Sequence, residues 1–202
     1  MTARAGVSRR GLWALLLAGA VAACGGRRQE PATSESFEPL SYDYLTPLRL
    51  NVASVDVEER FVPGGGDMAA ADPVRPADAI RRMARDRLHA LGTSGRAVLL
   101  INDASILRRG DAYQGSLAIE LDIYTSANTR AAFAEARVSA TRPITGGEST
   151  RRTLYELTKQ LMDALNVELE YQVRRSLRDW LVEGPAAPAP VEQQALPPPP
   201  RV

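Results

Sequence analysis

Polar and apolar positions along the chain fall into blocks of different period. Leu48, Leu50 and Val52 alternate with polar neighbours, and the apolar phase then shifts to Val55 and Val57. This predicts a first strand that carries a bulge or changes face. Pro63-Gly64-Gly65-Gly66 ends it in a loop, and the absence of a following lysine and helix separates that loop from phosphate-binding ones. Pro73 to Pro76 precedes a helix with Ala77, Ile80, Ala84, Leu88 and Leu91 on one face, stopped by Gly92. Ala97 to Ile101 is a continuous apolar run, the mark of a buried strand, and its extension reaches towards Leu107. After a turn at Gly110-Asp111, Leu117, Ile119, Leu121 and Ile123 alternate with Ala118, Glu120, Asp122 and Tyr124. That alternation predicts a strand with one face buried and one in water. A weaker alternation runs from Ala132 to Thr141 and stops before Pro143.

The last block is the longest. Ser149 or Thr150 caps a predicted helix running to about Val182, with Leu154, Leu157, Leu161, Leu165, Leu169, Val173, Leu177 and Leu181 on one face. Glu170 and Arg174 are spaced to pair along it. At 1.5 Å per residue it would be ~50 Å long, more than a small sheet covers. Either it breaks near Asn166-Val167 or its C-terminal half projects. The projecting ridge of Val173, Leu177 and Leu181, rimmed by Arg174, Arg175 and Arg178, is the expected docking surface for an envelope protein or a second copy of the chain.

These elements in order, β-α-β-β-β-α, predict a single α+β domain. Its mainly antiparallel four-stranded sheet has two helices on one face.

Both ends of the chain lie outside that pattern. Arg4, Arg9 and Arg10, with no acid, precede a 13-residue apolar run from Gly11 to Ala23, too short to span a bilayer and suited to a signal peptide. The run ends in Val21-Ala22-Ala23-Cys24, which resembles the lipobox of bacterial lipoproteins. The resemblance implies cleavage before Cys24 and diacylation of its thiol. It also implies stable anchoring in the membrane, since each buried CH₂ contributes ~0.8 kcal/mol. Gly25 stands where an aspartate would favour inner-membrane retention in enterobacterial lipoproteins, so the expectation is a lipid-anchored protein of the cell envelope, facing the periplasm and more readily at the outer membrane. Ser8-Arg9-Arg10-Gly11-Leu12 also resembles a twin-arginine export motif, a fit that stops at Leu12-Trp13. The expected organisation is a signal peptide over 1–23, a polar tether over 24–40, the domain over 41–184 and a tail over 185–202. The span from Gly184 to Val202 holds seven of the 14 prolines.

Composition narrows the chemistry. The 202 residues include one cysteine, one histidine and one lysine (Lys159) against 24 arginines, for a formal charge of +1. Loss of residues 1–23 removes three arginines and takes the mature chain to about −2, which argues against nucleic acid as a partner. A single cysteine excludes an internal disulfide, and a lone His89 makes a poor metal or triad site. No cofactor is expected. Glu120 and Asp122, two apart on one strand face, are ~7 Å apart, close to a catalytic carboxylate pair, yet charges on a wet face serve solubility equally well. Arg87 falls inside the apolar stripe of the first helix. Its stem is expected to snorkel to water, the alternative being a pair with a sheet carboxylate such as Glu120 or Asp122. In element order behind a lipobox the chain resembles the LptE family of lipopolysaccharide-assembly lipoproteins and, more loosely, the auxiliary lipoproteins of lipid-transport ABC systems. That likeness is architectural and brings no site residue with it. The expected role is a non-enzymatic accessory subunit of an envelope complex, with a periplasmic lipid or small-molecule carrier as the alternative.

Overall fold

A computed structural model describes residues 35–182. Cys24, the signal peptide and the proline-rich tail lie outside the described residues. The chain divides into Met1–Ser36, almost all of it outside the description, and a second unit that starts at Phe37.

That unit is the expected α+β domain. The strands are β1 (Leu48–Leu50), β2 (Ser54–Glu59), β3 (Leu88–Ala90), β4 (Arg96–Arg109), β5 (Ala112–Tyr124) and β6 (Arg130–Pro143). The helices are α1 (Pro76–Arg87) and α2 (Thr150–Ser176). The main sheet has the order β2-β4-β5-β6, with β2 parallel to β4 and the β4-β5-β6 meander antiparallel. Alternation works as the sequence predicts: Leu117, Ile119, Leu121 and Ile123 point into one core with Ala97, Leu99 and Ile101 of β4. The helices close that core with Ile80 and Met83 from α1 and Leu154, Leu157, Leu161, Leu165 and Leu169 from α2. Burial of this kind contributes about 1.5–3 kcal/mol for each large aliphatic side chain. Gly115 of β5 lies under α2, where an added Cβ would stand 2.4 Å from Leu161 Cδ1. Only a residue without a side chain lets the helix sit that low.

The first expected strand is in fact two strands in two sheets. At Asn51–Ala53 the chain leaves β1, which pairs in parallel with β3, and enters β2, which pairs with β4. The phase shift between Val52 and Val55 records this change of partner. The first helix also ends earlier than its pattern suggests, at Arg87 instead of Leu91. Residues 88–90 trade helical bonds for a ladder with β1, continued by Leu91 N–H to Leu50 O at 2.8 Å and Gly92 N–H to Val52 O at 2.9 Å. Gly92 approaches the Asn51 backbone so closely that a Cβ would sit 2.6 Å from its carbonyl carbon.

Helix α2 is capped by Ser149, whose side chain accepts from Arg152 N–H at 3.1 Å. It does not run to Val182. After Ser176 the chain turns through a short 3-10 segment, Arg178–Trp180, and comes back beside β1. Asn51 N–H donates to Trp180 O and Val182 N–H to Arg49 O, both at 2.8 Å, and Leu181 bridges to Leu50. The helix is therefore about 40 Å long, and its described C-terminal end does not project.

Candidate functional site

The turn after Ser176 relocates the expected docking ridge. Val173 and Leu177 are buried in the core and Leu181 packs against it. Arg174 donates through Nε and Nη2 to Glu170 Oε1 at 3.0 and 2.9 Å, and Arg175 and Arg178 are exposed. The apolar half of the ridge is thus interior surface, covered by the chain's own β1 and core. His89 is exposed on β3 and no longer on a helix. Glu120 and Asp122 do share the sheet face away from the helices. Asp122 is nevertheless only 3% exposed, because Tyr124 Oη donates to its Oδ2 at 3.1 Å and Arg130 pairs with both carboxylates. A carboxylate pair locked by an arginine is an ion lattice across strands, not a free acid and base.

Arg87 neither snorkels nor reaches the sheet. It is 1% exposed and anchors a junction between α1, α2 and the segment before β1. Its Nη1 donates to Asn166 Oδ1 at 3.1 Å and to Asn166 O at 3.3 Å; its Nη2 donates to Thr46 O at 3.0 Å and to Glu170 Oε2 at 2.7 Å. Asn166 completes the knot by donating to Met162 O at 2.8 Å. Burial tends to raise the Glu170 carboxyl, but the hydrogen bonds from Arg87 and Arg174 outweigh it and hold the group below the usual glutamate range. The partners of Arg87 lie on two stretches of chain, Thr46 before β1 and Asn166 and Glu170 on α2, each about 40 residues or more away, so no local spacing around Arg87 exposes them.

A second buried acid stands where the loop before α1 meets α2. Asp72 accepts from Thr158 Oγ1 at 2.6 Å and from Val74 N–H at 2.9 Å. Burial nonetheless pushes its pKa up to about 6, against the lowering effect of those two bonds.

One cleft has the makings of a binding site. Where β2 ends opposite Ile101, β4 bulges between Ile101 and Asp103, and the loop from Arg60 swings out before returning at Asp67, which bridges to Leu107. The detour leaves a space of about 310 Å³ beside Ala104, walled by Phe61, Pro63 and Ala77. That volume is at the small end of ligand sites. Asp67 Oδ1 pins the returning loop by accepting from Ala69 N–H at 2.9 Å and Ile106 N–H at 3.0 Å. Its Oδ2 is buried with no hydrogen-bond partner among the described residues. At the rim Arg81 pairs with Glu59 and Asp78, and Arg75 pairs with Asp78. The rim charges thus neutralise one another, and the cleft can hold a small, largely apolar group. It brings no nucleophile and base together. Among the described residues no cluster of three or more His, Cys, Asp or Glu side chains is arranged to hold a metal ion, and no helix is long and apolar enough to cross a membrane.

No protein-family model matches the chain, and no curated protein matches it in sequence. By shape, this two-layer α+β chain is similar to two solved structures. One, from Caulobacter crescentus CB15 and provisionally described as a lipoprotein, has 10% identity and a TM-score of 0.32 over 59% of this chain and 85% of that one. The other is a minor lipoprotein from Acinetobacter baumannii, with 12% identity and a TM-score of 0.32 over 61% of this chain and 94% of that one. Matches of this strength do not define a family for the chain.

Proposed function

We propose that the protein is a lipid-anchored lipoprotein of the cell envelope, facing the periplasm and acting as a non-enzymatic accessory subunit of an envelope assembly. The observation that carries this reading is the N-terminal series of basic residues, short apolar run and Val21-Ala22-Ala23-Cys24. The domain's place in the chain supports it. The second unit starts at Phe37, thirteen residues after Cys24, and a chain of that length reaches up to about 45 Å from a bilayer surface. Two or three acyl chains hold such a domain stably where one would not. Gly25, in place of a retention aspartate, favours the outer membrane. The accessory role rests on the element order, which resembles that of the LptE-like lipoproteins at the level of architecture.

Mass spectrometry of the mature N-terminal peptide tests the anchor. The expected result is a diacylglyceryl-modified Cys24 at the new N-terminus, and Cys24→Ala should stay uncleaved by the lipoprotein peptidase and change its fractionation. An unmodified Cys24 thiol on the mature wild-type protein would overturn the reading.

A further inference from the structure

Between the segment before β1 and the first half of α2 lies a second cavity, of about 300 Å³, at the small end of ligand sites. Tyr44 and Tyr155 line it, and Tyr42, 2% exposed, forms its floor. The Tyr155 hydroxyl donates to Glu38 O at 3.1 Å. Those of Tyr42 and Tyr44 have no hydrogen-bond partner among the described residues. Burial, with Asp163 and Tyr44 beside it, raises the Tyr42 pKa, so its hydroxyl remains a donor. Tyr44 is 73% exposed. Glu38, Asp163 and Lys159 also stand on the lining, and none of the three forms an ion pair among the described residues. The cavity therefore offers aromatic surface, phenolic donors and a net negative charge. Those are the features that hold a polyproline II segment, whose rings pack on aromatic side chains and whose carbonyls carry no internal hydrogen bond. The chain has one run of consecutive prolines, Pro197-Pro198-Pro199-Pro200, and Arg201 follows it.

We propose that this cavity binds the chain's own segment from Pro197 to Arg201, with the prolines against Tyr44 and Tyr155 and Arg201 paired with Asp163. Reach and charge select this occupant. Val182, where the described chain ends, donates its N–H to Arg49 O at 2.8 Å. Tyr42 lies seven residues before Arg49, so the cavity floor is at most about 25 Å from that point. Fourteen residues, 183–196, separate Val182 from the proline run. Extended, a stretch of that length spans about 43 Å, and as a coil its ends are on average about 20 Å apart. The mean separation thus matches the distance to be crossed, the condition under which a tether gives its highest effective concentration, in the millimolar range. A contact too weak to hold a free peptide is then occupied within one chain. Arg201 brings the cation that two unpaired carboxylates against one ammonium leave wanting. The docking makes no use of the anchor and stands apart from that reading.

Crosslinking of the full-length chain in detergent extract tests it. Lys159→Cys and Pro199→Cys place one thiol at the cavity and one in the proline run, and a short bismaleimide joins them when they meet. Peptide mass spectrometry reads the 159–199 link itself, so the state of Cys24 does not enter. The link should form within single chains. Tyr44→Ala, which removes the exposed ring, should slow it at least about fivefold. Asp163→Arg, which turns an attraction into a repulsion, should slow it by about the same factor. Adding Arg201→Glu to Asp163→Arg restores opposite charges, and the rate should recover. Both Tyr44 and Asp163 are exposed, so these changes leave the core intact, and the charge swap separates a lost contact from a lost fold. The proposal is overturned if the link joins two chains, which would make a second copy the occupant. It is overturned equally if Tyr44→Ala or Asp163→Arg links as fast as the starting pair, or if the charge swap fails to recover.

Discussion

Neutralising one partner of the Arg87 junction should reveal whether that buried pair holds the two helices together. Glu170→Gln leaves a permanently charged guanidinium, 1% exposed, facing only neutral acceptors: Asn166, Thr46 and the new side-chain amide oxygen at 170. Breaking a buried pair in this way costs roughly 3–5 kcal/mol. Because the Glu170 side chain is 35% exposed, we expect the low end, about 3 kcal/mol. Arg87→Met keeps the apolar stem but leaves Asn166 Oδ1 and Thr46 O without their donor, at about 1–3 kcal/mol for each acceptor that stays buried. With both changes the stranded charge is gone, so the double variant should be less damaged than the two singles summed, by about 2 kcal/mol. Urea unfolding of the four proteins closes the cycle, provided the slopes agree. Additivity within about 0.5 kcal/mol would refute the coupling and reduce the contact to neighbourly packing. A pH series supplies a second check. Glu170 is held below its ordinary range, so its contribution is present above the unfolded glutamate pKa of about 4.3 and fades as the pH falls through the lower folded value. Arg87→Met should flatten that acid limb.

Asp72 runs the other way. Burial raises it to about 6, so stability tied to its protonated form is complete below about pH 4 and is lost as the pH climbs through 6, a cost of about 3 kcal/mol in the neutral range. Asp72→Asn should therefore raise the urea midpoint at pH 7.5 and leave it nearly unchanged at pH 4; an equal shift at both would sink the argument. Leu177→Asp should unfold the isolated chain or lower its melting temperature sharply, because it places a carboxylate at a side chain that is 1% exposed. A variant that melts like the wild type would mean that Leu177 lies on the surface after all.

What the sequence made legible was whatever a single element decides for itself. Leu117 to Ile123 declare a strand and its buried side by alternation, and the leucines from Leu154 to Leu169 declare a helix and its stripe. Both are found as expected, because period and burial are fixed within one short stretch. The elements misread are those decided by a partner elsewhere. Leu88 and Leu91 continue the spacing of α1, yet residues 88–90 form a strand because β1 lies alongside to pair with them. Arg87 broke the apolar stripe and so was visible as an anomaly. Its acceptors, at Thr46, Asn166 and Glu170, come together only when α1 packs on α2. The cleft is less legible still, since it arises from a bulge in β4 and a loop that returns at Asp67.

The end of α2 shows why spacing alone overstates a helix. Val173, Leu177 and Leu181 are four apart, as one helical face requires, and Val173 and Leu177 are buried while Leu181 packs against the core. The spacing, however, records only that these residues meet the core. Val173 meets it from the helix, Leu177 from the turn that ends the helix, and Leu181 from an extended segment bridged to Leu50. Continuing the helix would have left an apolar ridge in water and the β1 edge unpaired. Turning at Leu177 covers the one and satisfies the other, with Val182 N–H and Trp180 O both bonded to the backbone of β1 and the residue after it. The interaction surface that the pattern announced is thereby met within the chain.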